Sequence, residues 1–310
     1  MFTSSIDGRV ARRDFTGRED KVYLDTHNWE NWYVGMDVCF SGGTLVAGNN
    51  KGAVTLCSLD GEIIWTHKLH KAKCNFVQFN KKQPWMMVTT SIGSSKGGGV
   101  AKIWDIRMIS GADSSLAEME HDVAVNSAYF SPMAGDMLLT TDQHSQLRVY
   151  QAPNFTHIAT IPHPHRQFQH LTPIKAVWHP LTDLIVVGRY PDPKFPDYTE
   201  GEVRSIDFYC PYTGKEFLRL HQLGLNMIMS LSQFNPIGDR LLTGMGGSGS
   251  LLLWQDRRIC TKESMDSMER DREVESNLEG LKVQQWPDFQ VKKKKGSNKK
   301  KGGEKSEIGD

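Results

Sequence analysis

One pattern recurs along this chain and decides what it can fold into. An apolar alternation ends in an aromatic residue and passes into a small polar residue, often with proline. It reads "FVQFN" at 76–80, "SAYFSP" at 127–132, "AVWHP" at 176–180 and "LSQFNP" at 231–236, with a weaker copy, "MDVCFS", at 36–41. The successive aromatics, Phe40, Phe79, Phe130, Trp178 and Phe234, stand 39, 51, 48 and 56 residues apart. Each copy is followed by a short apolar run ("TLVAG", "WMMVTT", "MLLTTD", "LIVVG", "RLLTGM"), then a turn rich in Gly, Asp, Asn or Ser. A second, alternating run comes next ("AVTLC", "VAKIWD", "QLRVY", "VRSIDF", "SLLLW"), and most copies close with a fourth, such as "EIIWTH" or "EFLRL". Apolar runs this short, bounded by turn residues, are strands rather than helices.

Four strands repeated at such a period make one blade of a propeller. "KIWD" at 102–105 carries the Trp-Asp signature of WD40 repeats. The fold class is therefore all-β, a WD40 β-propeller. Five complete blades fall over roughly 31–66, 72–119, 123–160, 172–220 and 227–258. Ahead of them, residues 2–15 match only the last two strands of a blade. The expected organisation is a partial blade over 1–16, propeller blades over 17–258, a charged extension over 259–290 with room for a short helix at 262–275, and a disordered Lys-rich tail over 291–310. WD40 rings usually have seven blades, so a chain that starts in mid-blade is read as missing about one and a half blades at its N-terminus. The alternative is an incomplete ring with exposed strand edges, which invites aggregation.

Charge is unevenly spread. The chain carries a net +1, but residues 291–310 carry +5, residues 255–290 carry −3 and the body carries −1. The Lys-rich tail cannot bury a core, and its charge suits nuclear targeting or salt-sensitive affinity for a polyanion. The body is not basic overall, so any nucleic-acid contact it makes must come from a local patch. The five cysteines, at 39, 57, 74, 210 and 260, form no CxxC pair. Free thiols in a reducing compartment are expected, not a disulfide or zinc framework. No run of 18 apolar residues suggests a membrane span, and no secretory signal opens the chain.

One stretch fits no strand. "HPHRQFQHLTP", residues 163–173, sets Phe168 among polar and basic neighbours with no period of 2 or 3.6 around it. It joins the outer strand of one blade to the inner strand of the next. Phe168 is either a loop anchor packed on the propeller or an exposed probe. Histidines 163, 165, 170 and 179 raise the question of zinc, but no acid or cysteine completes a ligand set. "GSSKGGG" at 93–99 lacks the phosphate-loop spacing and reads as a blade turn. No Ser-His-Asp arrangement or paired acids share a context, so no catalytic residue, metal or cofactor is expected, and the chain is read as a binder rather than an enzyme.

The blade with "IPHPHRQFQHLTPIKAVWHP" followed by "LIVVGRYPDP" closely resembles the DNA damage-binding protein 2 family, WD40 subunits that recognise ultraviolet lesions. "LHKAK", "KIWDIR", "HDVAVNSAYFSP", "LLTTDQHSQLRVY" and "FNPIGD" extend the resemblance, in order, over residues 2–254. It implies a nuclear protein of nucleotide excision repair that binds damaged double-stranded DNA on one face. It further implies docking on the adaptor DNA damage-binding protein 1 within a cullin–RING ubiquitin ligase, for which the protein is a substrate receptor. Sequences matching the family's helical N-terminal arm and first blade are missing here, which would weaken that docking. The alternative function is a WD40 protein-interaction scaffold with no lesion preference.

Position by position, the resemblance implies a lesion-probing hairpin at Phe168, Gln169 and His170, and DNA backbone contacts at Arg166, Lys73 and Arg204. It implies a lesion pocket at Trp32, Tyr190 and Pro191, and an adaptor-docking WDxR box at Trp104, Asp105 and Arg107. Physical chemistry is consistent with the hairpin. A photolesion weakens stacking and pairing, so the damaged step is cheaper to open than an intact one. A flat Phe168 would fill the gap, with Gln169 and His170 bonding the orphaned bases. Pro162 and Pro164 would stiffen the approach. Basic residues on phosphates position a protein without reading sequence.

Overall fold

The computed structural model describes residues 1–93, 98–165, 172–221, 227–246 and 250–255, all within the first of the chain's two compact units, Met1–Asp256. Among the described residues there is no helix. There are 22 strands in six antiparallel sheets that follow one another along the chain. The first sheet is β1 (Phe2–Ser4), β2 (Arg9–Arg13) and β3 (Glu19–Asp25). The second is β4 (Tyr33–Cys39), β5 (Thr44–Asn49), β6 (Ala53–Ser58) and β7 (Ile63–Lys68), and the third β8 (Cys74–Phe79), β9 (Met86–Ser91), β10 (Gly99–Asp105) and β11 (Ala117–His121). The fourth is β12 (Val125–Phe130), β13 (Met137–Asp142), β14 (Gln146–Gln151) and β15 (Thr156–Pro162). The fifth is β16 (Val177–Trp178), β17 (Ile185–Arg189), β18 (Ser205–Tyr209) and β19 (Glu216–His221). The last has β20 (Ile228–Phe234), β21 (Arg240–Gly246) and β22 (Ser250–Gln255).

Each four-stranded sheet is a meander with its strands in chain order, as in a propeller blade, and the fold is a WD40 β-propeller. The second strands are the most apolar, and β9, β13 and β17 are buried along their whole length, because neighbouring blades cover both of their faces. The outermost strands β7 and β19 alternate or lie open. Five apolar clusters form the core, each shared by successive sheets. Met87 and Trp104 of the third blade pack with Val46 and Leu56 of the second, and Ile185 and Val187 of the fifth with Leu139 and Val149 of the fourth. Gly188 shows how closely blades approach. A Cβ there would lie 1.9 Å from the Met229 carbonyl oxygen on β20.

One detail differs from the sequence reading, and a second adds to it. The first sheet has three strands, not two, because β3, "EDKVYLD", pairs along β2 from Arg9↔Asp25 to Arg13↔Glu19. The repeated aromatic is buried in three copies, Phe79, Phe130 and Trp178, but Phe40 is 74% exposed and rests against Phe2. The extension over 259–290, the tail over 291–310 and the expected helix at 262–275 lie outside the described residues.

Candidate nucleic-acid interface

The meander order sorts the connections onto two rims. In an antiparallel blade the start of the first strand, the turn between the second and third, and the end of the fourth share one edge. The link from each blade to the next therefore runs along that edge, which we call the link rim. Turns between first and second strands, and between third and fourth, form the opposite rim. Backbone hydrogen bonds confirm the sorting. On the link rim Leu69 and His70 N–H both donate to the Gly52 oxygen, Ile92 to Lys73, Gln143 to Ala124, and Tyr190 to Pro164. On the opposite rim Leu59 donates to Gly43, Ile106 to Trp85 and Ala152 to Asp136. Gly52 is required where link and turn meet: its φ is +86°, and a Cβ would lie 2.2 Å from the His70 oxygen.

Trp32, Lys73, Tyr190, Pro191 and Arg204 all belong to the link rim. The probing tip Phe168, Gln169 and His170, with Arg166, lies outside the described residues, in the link between β15 and β16. Tyr190 and Arg204 are the two ends of the turn joining β17 to β18, and the Arg204 guanidinium stands 4.8 Å from the centre of the Tyr190 ring. This is a cation–π pair at a half-buried site. Pro191 follows, half-buried. Trp32, also half-buried, is fixed through its backbone: its N–H donates to Asn50 Oδ1 at 3.0 Å and its oxygen accepts from Asn50 N at 3.0 Å. Trp32 and Tyr190 stand on the same rim, on different blades. Lys73 is half-exposed in the β7–β8 link, where its carbonyl holds the next turn.

The stem of the β15–β16 link is the most constrained part of the rim. His163, Pro164 and His165 are buried. The two imidazoles stack with centroids 5.4 Å apart, and their Nδ1 atoms are 3.2 Å apart. His165 Nε2 reaches the Asp142 carbonyl at 2.9 Å, and His163 Nε2 faces Asp207 Oδ2 at 3.5 Å. Two neutral imidazoles supply two N–H groups for these three contacts. His165 Nε2–H donates to the Asp142 carbonyl, and His163 Nε2, 3.5 Å from Asp207, makes no hydrogen bond of ordinary length. Burial lowers the pKa of both rings, and His163 further lowers that of His165. His179, read with these histidines as a conceivable metal ligand, sits on the opposite rim, bonded to Thr182 and Gly238.

Beneath the stem lies an ionic cluster that the sequence reading missed. Arg189, 1% exposed at the end of β17, donates to Glu202 Oε1 at 2.7 Å, Asp197 Oδ2 at 2.7 Å and Asp207 Oδ2 at 3.3 Å. Arg219 on β19 bonds Glu202 at 3.0 Å and Glu216 at 2.6 Å and lies 3.3 Å from Asp207. Ser205 Oγ donates to Asp207 at 2.8 Å. Burial alone would raise the Asp207 carboxyl, but His163, Ser205 and Arg219 outweigh it and hold it low. The signal in the sequence was an arginine ending an all-apolar strand, "LIVVGR", and an aspartate inside another, "SIDFY". Lys175 was also missed. It is half-buried in the same link, its Nζ lies 5.6 Å from the Phe76 ring centre, and burial lowers its pKa.

The WDxR box lies at the end of β10, where the chain turns on the opposite rim. Trp104 is fully buried, and its Nε1–H donates to Thr89 Oγ1 at 2.8 Å. Thr89 Oγ1 in turn meets His70 Nε2 at 2.7 Å, and burial, then Lys102, push His70 down to about 3, so the ring is neutral. Trp104 thus belongs to the blade core and offers no surface. Asp105 is nearly buried and grips Arg107 through two bonds, Nε to Oδ1 at 2.9 Å and Nη2 to Oδ2 at 2.7 Å. The exposed guanidinium lies 4.8 Å from the centre of the Trp85 ring. Of the three, only Arg107 has an exposed side chain.

No family model matches the chain. Curated relatives do. The chain is 44% identical over 273 residues to DNA damage-binding protein 2 of Gallus gallus, covering 85% of this chain and 52% of that protein. It is 42% identical over 255 residues to the protein of that name in Danio rerio (82% of this chain, 49% of that one). It is 42% identical over 264 residues to the one in Bos taurus (85% of this chain, 60% of that one). The chain spans about half the length of the curated relatives it matches. At this identity, sustained over some 85% of its length on a bladed β-fold, the chain belongs to the DNA damage-binding protein 2 family.

Proposed function

We propose that the protein recognises damaged double-stranded DNA, ultraviolet photolesions in particular, with its link rim, and that it binds without catalysing a reaction. The observation that carries this reading is the shared rim of Trp32, Lys73, Tyr190, Pro191 and Arg204, on the same edge as the link that contains Arg166, Phe168, Gln169 and His170. The relatives' name, damage-binding protein, supports the same ligand. In this reading Arg166, Lys73 and Arg204 hold phosphates, and the Phe168-Gln169-His170 tip fills the opened step. Trp32 on one side, and Tyr190 with Pro191 on the other, offer apolar walls to the extruded lesion. Arg107 on the opposite rim supports docking of the adaptor DNA damage-binding protein 1, making the protein a nuclear substrate receptor of a cullin–RING ligase in nucleotide excision repair. DNA and adaptor would then be held on opposite rims and would not compete.

The test is affinity for a duplex with one photolesion against the same duplex undamaged, across a salt series. Tight, salt-sensitive binding with a clear preference for the lesion is expected. Phe168→Ala, Gln169→Ala and His170→Ala combined should lower the damaged-over-undamaged ratio, and Lys73→Glu should weaken binding to both duplexes alike. A protein that binds both equally would instead be a WD40 scaffold for other partners. Incubation with lesion DNA should leave its strands and glycosidic bonds intact.

A further inference from the structure

We infer that the buried Arg189 cluster is a positioning device that fixes the 190–204 turn against the stem of the β15–β16 link, and that this placement sets selectivity for damaged DNA. The inference rests on the reading of the link rim given above.

The turn of residues 190–204 is more than twice as long as the equivalent turn at 92–98. A turn of that length, with three prolines at 191, 193 and 196, carries no strand or helix of its own to hold it. Arg189 ties it down from inside. Its guanidinium reaches Asp197 in mid-turn and Glu202 near the end, each at 2.7 Å, while bonding Asp207 on β18. The turn's two ends are closed over by Arg204 on Tyr190. The same cluster meets the link stem twice: Asp207 faces His163 at 3.5 Å, and Tyr190 N–H donates to the Pro164 oxygen at 2.8 Å. His165 carries the connection on to Asp142 of the fourth blade. One guanidinium thus connects the turn bearing Tyr190, Pro191 and Arg204 to the stem that leads directly into residues 166–170.

Stability alone does not account for such a cluster. Burying the Arg189 guanidinium with Glu202 and Asp207 carries a desolvation cost that apolar side chains would avoid. The cluster is also incompletely bonded: Glu202 Oε2, Arg219 Nε and His163 Nε2 have no hydrogen-bond partner. What it provides is direction. A fork of fixed geometry bonding three carboxylates from three places in the chain admits one arrangement of that turn. Preorganisation of this kind lowers the ordering cost at the moment of binding and favours the ligand whose shape fits the fixed site.

The experiment uses the full chain and two gentle variants. Arg189→Lys keeps the charge and loses the fork. Asp197→Asn removes a charge whose side chain is half exposed, which spares the core. Affinities for a single-photolesion duplex and its undamaged counterpart are measured with their salt slopes, together with amide hydrogen exchange across 190–204. The expected result is a fall of about tenfold in the damaged-over-undamaged ratio, with undamaged affinity and salt slope kept and exchange faster in the turn but not in β17 or β18. A purely structural role would lower both affinities together, and that outcome overturns the inference. So does a wild-type ratio in both variants. If the wild-type protein itself shows no lesion preference, the functional reading fails first. Unchanged exchange in the turn of Arg189→Lys would then separately refute the positioning role.

Discussion

The third and fifth blades solve the same structural problem with opposite chemistry. In each, a histidine on the incoming link is tied to the second and third strands of the blade. In the third blade the chain is neutral: His70, Thr89 and Trp104, joined at 2.7 and 2.8 Å. In the fifth it is ionic: His163, Arg189 and Asp207, at 3.5 and 3.3 Å. The neutral set is compact and closes a blade whose link-rim turn is short. The ionic set reaches outward, through Asp197 and Glu202, to hold a long one. A hydroxyl has room to join two neighbours, whereas a buried guanidinium gathers several carboxylates at once. The desolvation cost of buried charge is accepted where the blade carries candidate binding residues on that turn, and avoided where it carries none.

Removing the centre of each set should separate them most sharply. Arg189→Met leaves Asp207 and Glu202 buried without their main counter-charge. A loss of about 3–5 kcal/mol is expected in denaturant unfolding, with part of it recovered when Asp207→Asn is added. A double variant no better than the single one would show that the cluster is not coupled as drawn. Acid should act on the buried histidines of both sets, since burial lowers His163 and His165 as it lowers His70. His70 is held down to about 3 and His121, by burial and then Arg148, to about 4. Below pH 6.5 the unfolded chain takes up protons that the folded rings refuse, so stability falls as pH falls, until the folded values are reached. Each ring contributes a slope of up to about 1.4 kcal/mol per pH unit, or some 2–3 kcal/mol between pH 6.5 and 4.5. Asp207, lowered from 3.8, loses its contribution only in stronger acid. Urea midpoints of the wild type and His70→Gln between pH 7 and 4.5 check this: the variant should show the flatter profile. Thr89→Val strands both Trp104 Nε1–H and His70 Nε2 and should cost about 1–2 kcal/mol near neutral pH, with the fold kept.

The two sets also differ in how visible they were before any coordinates. Of the third blade's set only Trp104 was marked, by "KIWD"; His70 and Thr89 carried no signal of their own. The strands were legible because alternation and turn residues are local signals: the quoted apolar runs coincide with β5, β6, β9, β10, β13 and β14. β3 was not legible, because as the outer strand of its blade it buries only Tyr23 and Leu24, and the rest is four charged residues and an exposed Val22. The Arg189 cluster draws on residues between 163 and 219, and nothing in the spacing of those acids says that they converge. What the sequence did contain was a misfit, a charge inside an apolar strand at Arg189 and again at Asp207. A buried charge is tolerated only when paired, so each misfit already implied an unseen partner. The candidate rim was legible residue by residue through resemblance. That the residues share an edge follows only from the order of the strands.

The smallest expected effect on stability belongs to Arg107, and it separates the rims as cleanly as the largest. Its guanidinium is exposed, bonded twice to Asp105 and laid on Trp85. An exposed ion pair of this kind adds little to folding. Arg107→Ala should therefore leave the melting temperature unchanged. A preset, flat guanidinium is nevertheless the type of side chain that concentrates binding energy in an interface, since little entropy is lost when a partner closes on it. If the opposite rim docks the adaptor, Arg107→Ala should weaken capture of DNA damage-binding protein 1 strongly while leaving the affinity for both DNA duplexes intact. Lys73→Glu should do the reverse, weakening DNA and sparing the adaptor. Loss of both activities in either variant would mean that the two rims are not independent, and the division of labour between them would fall.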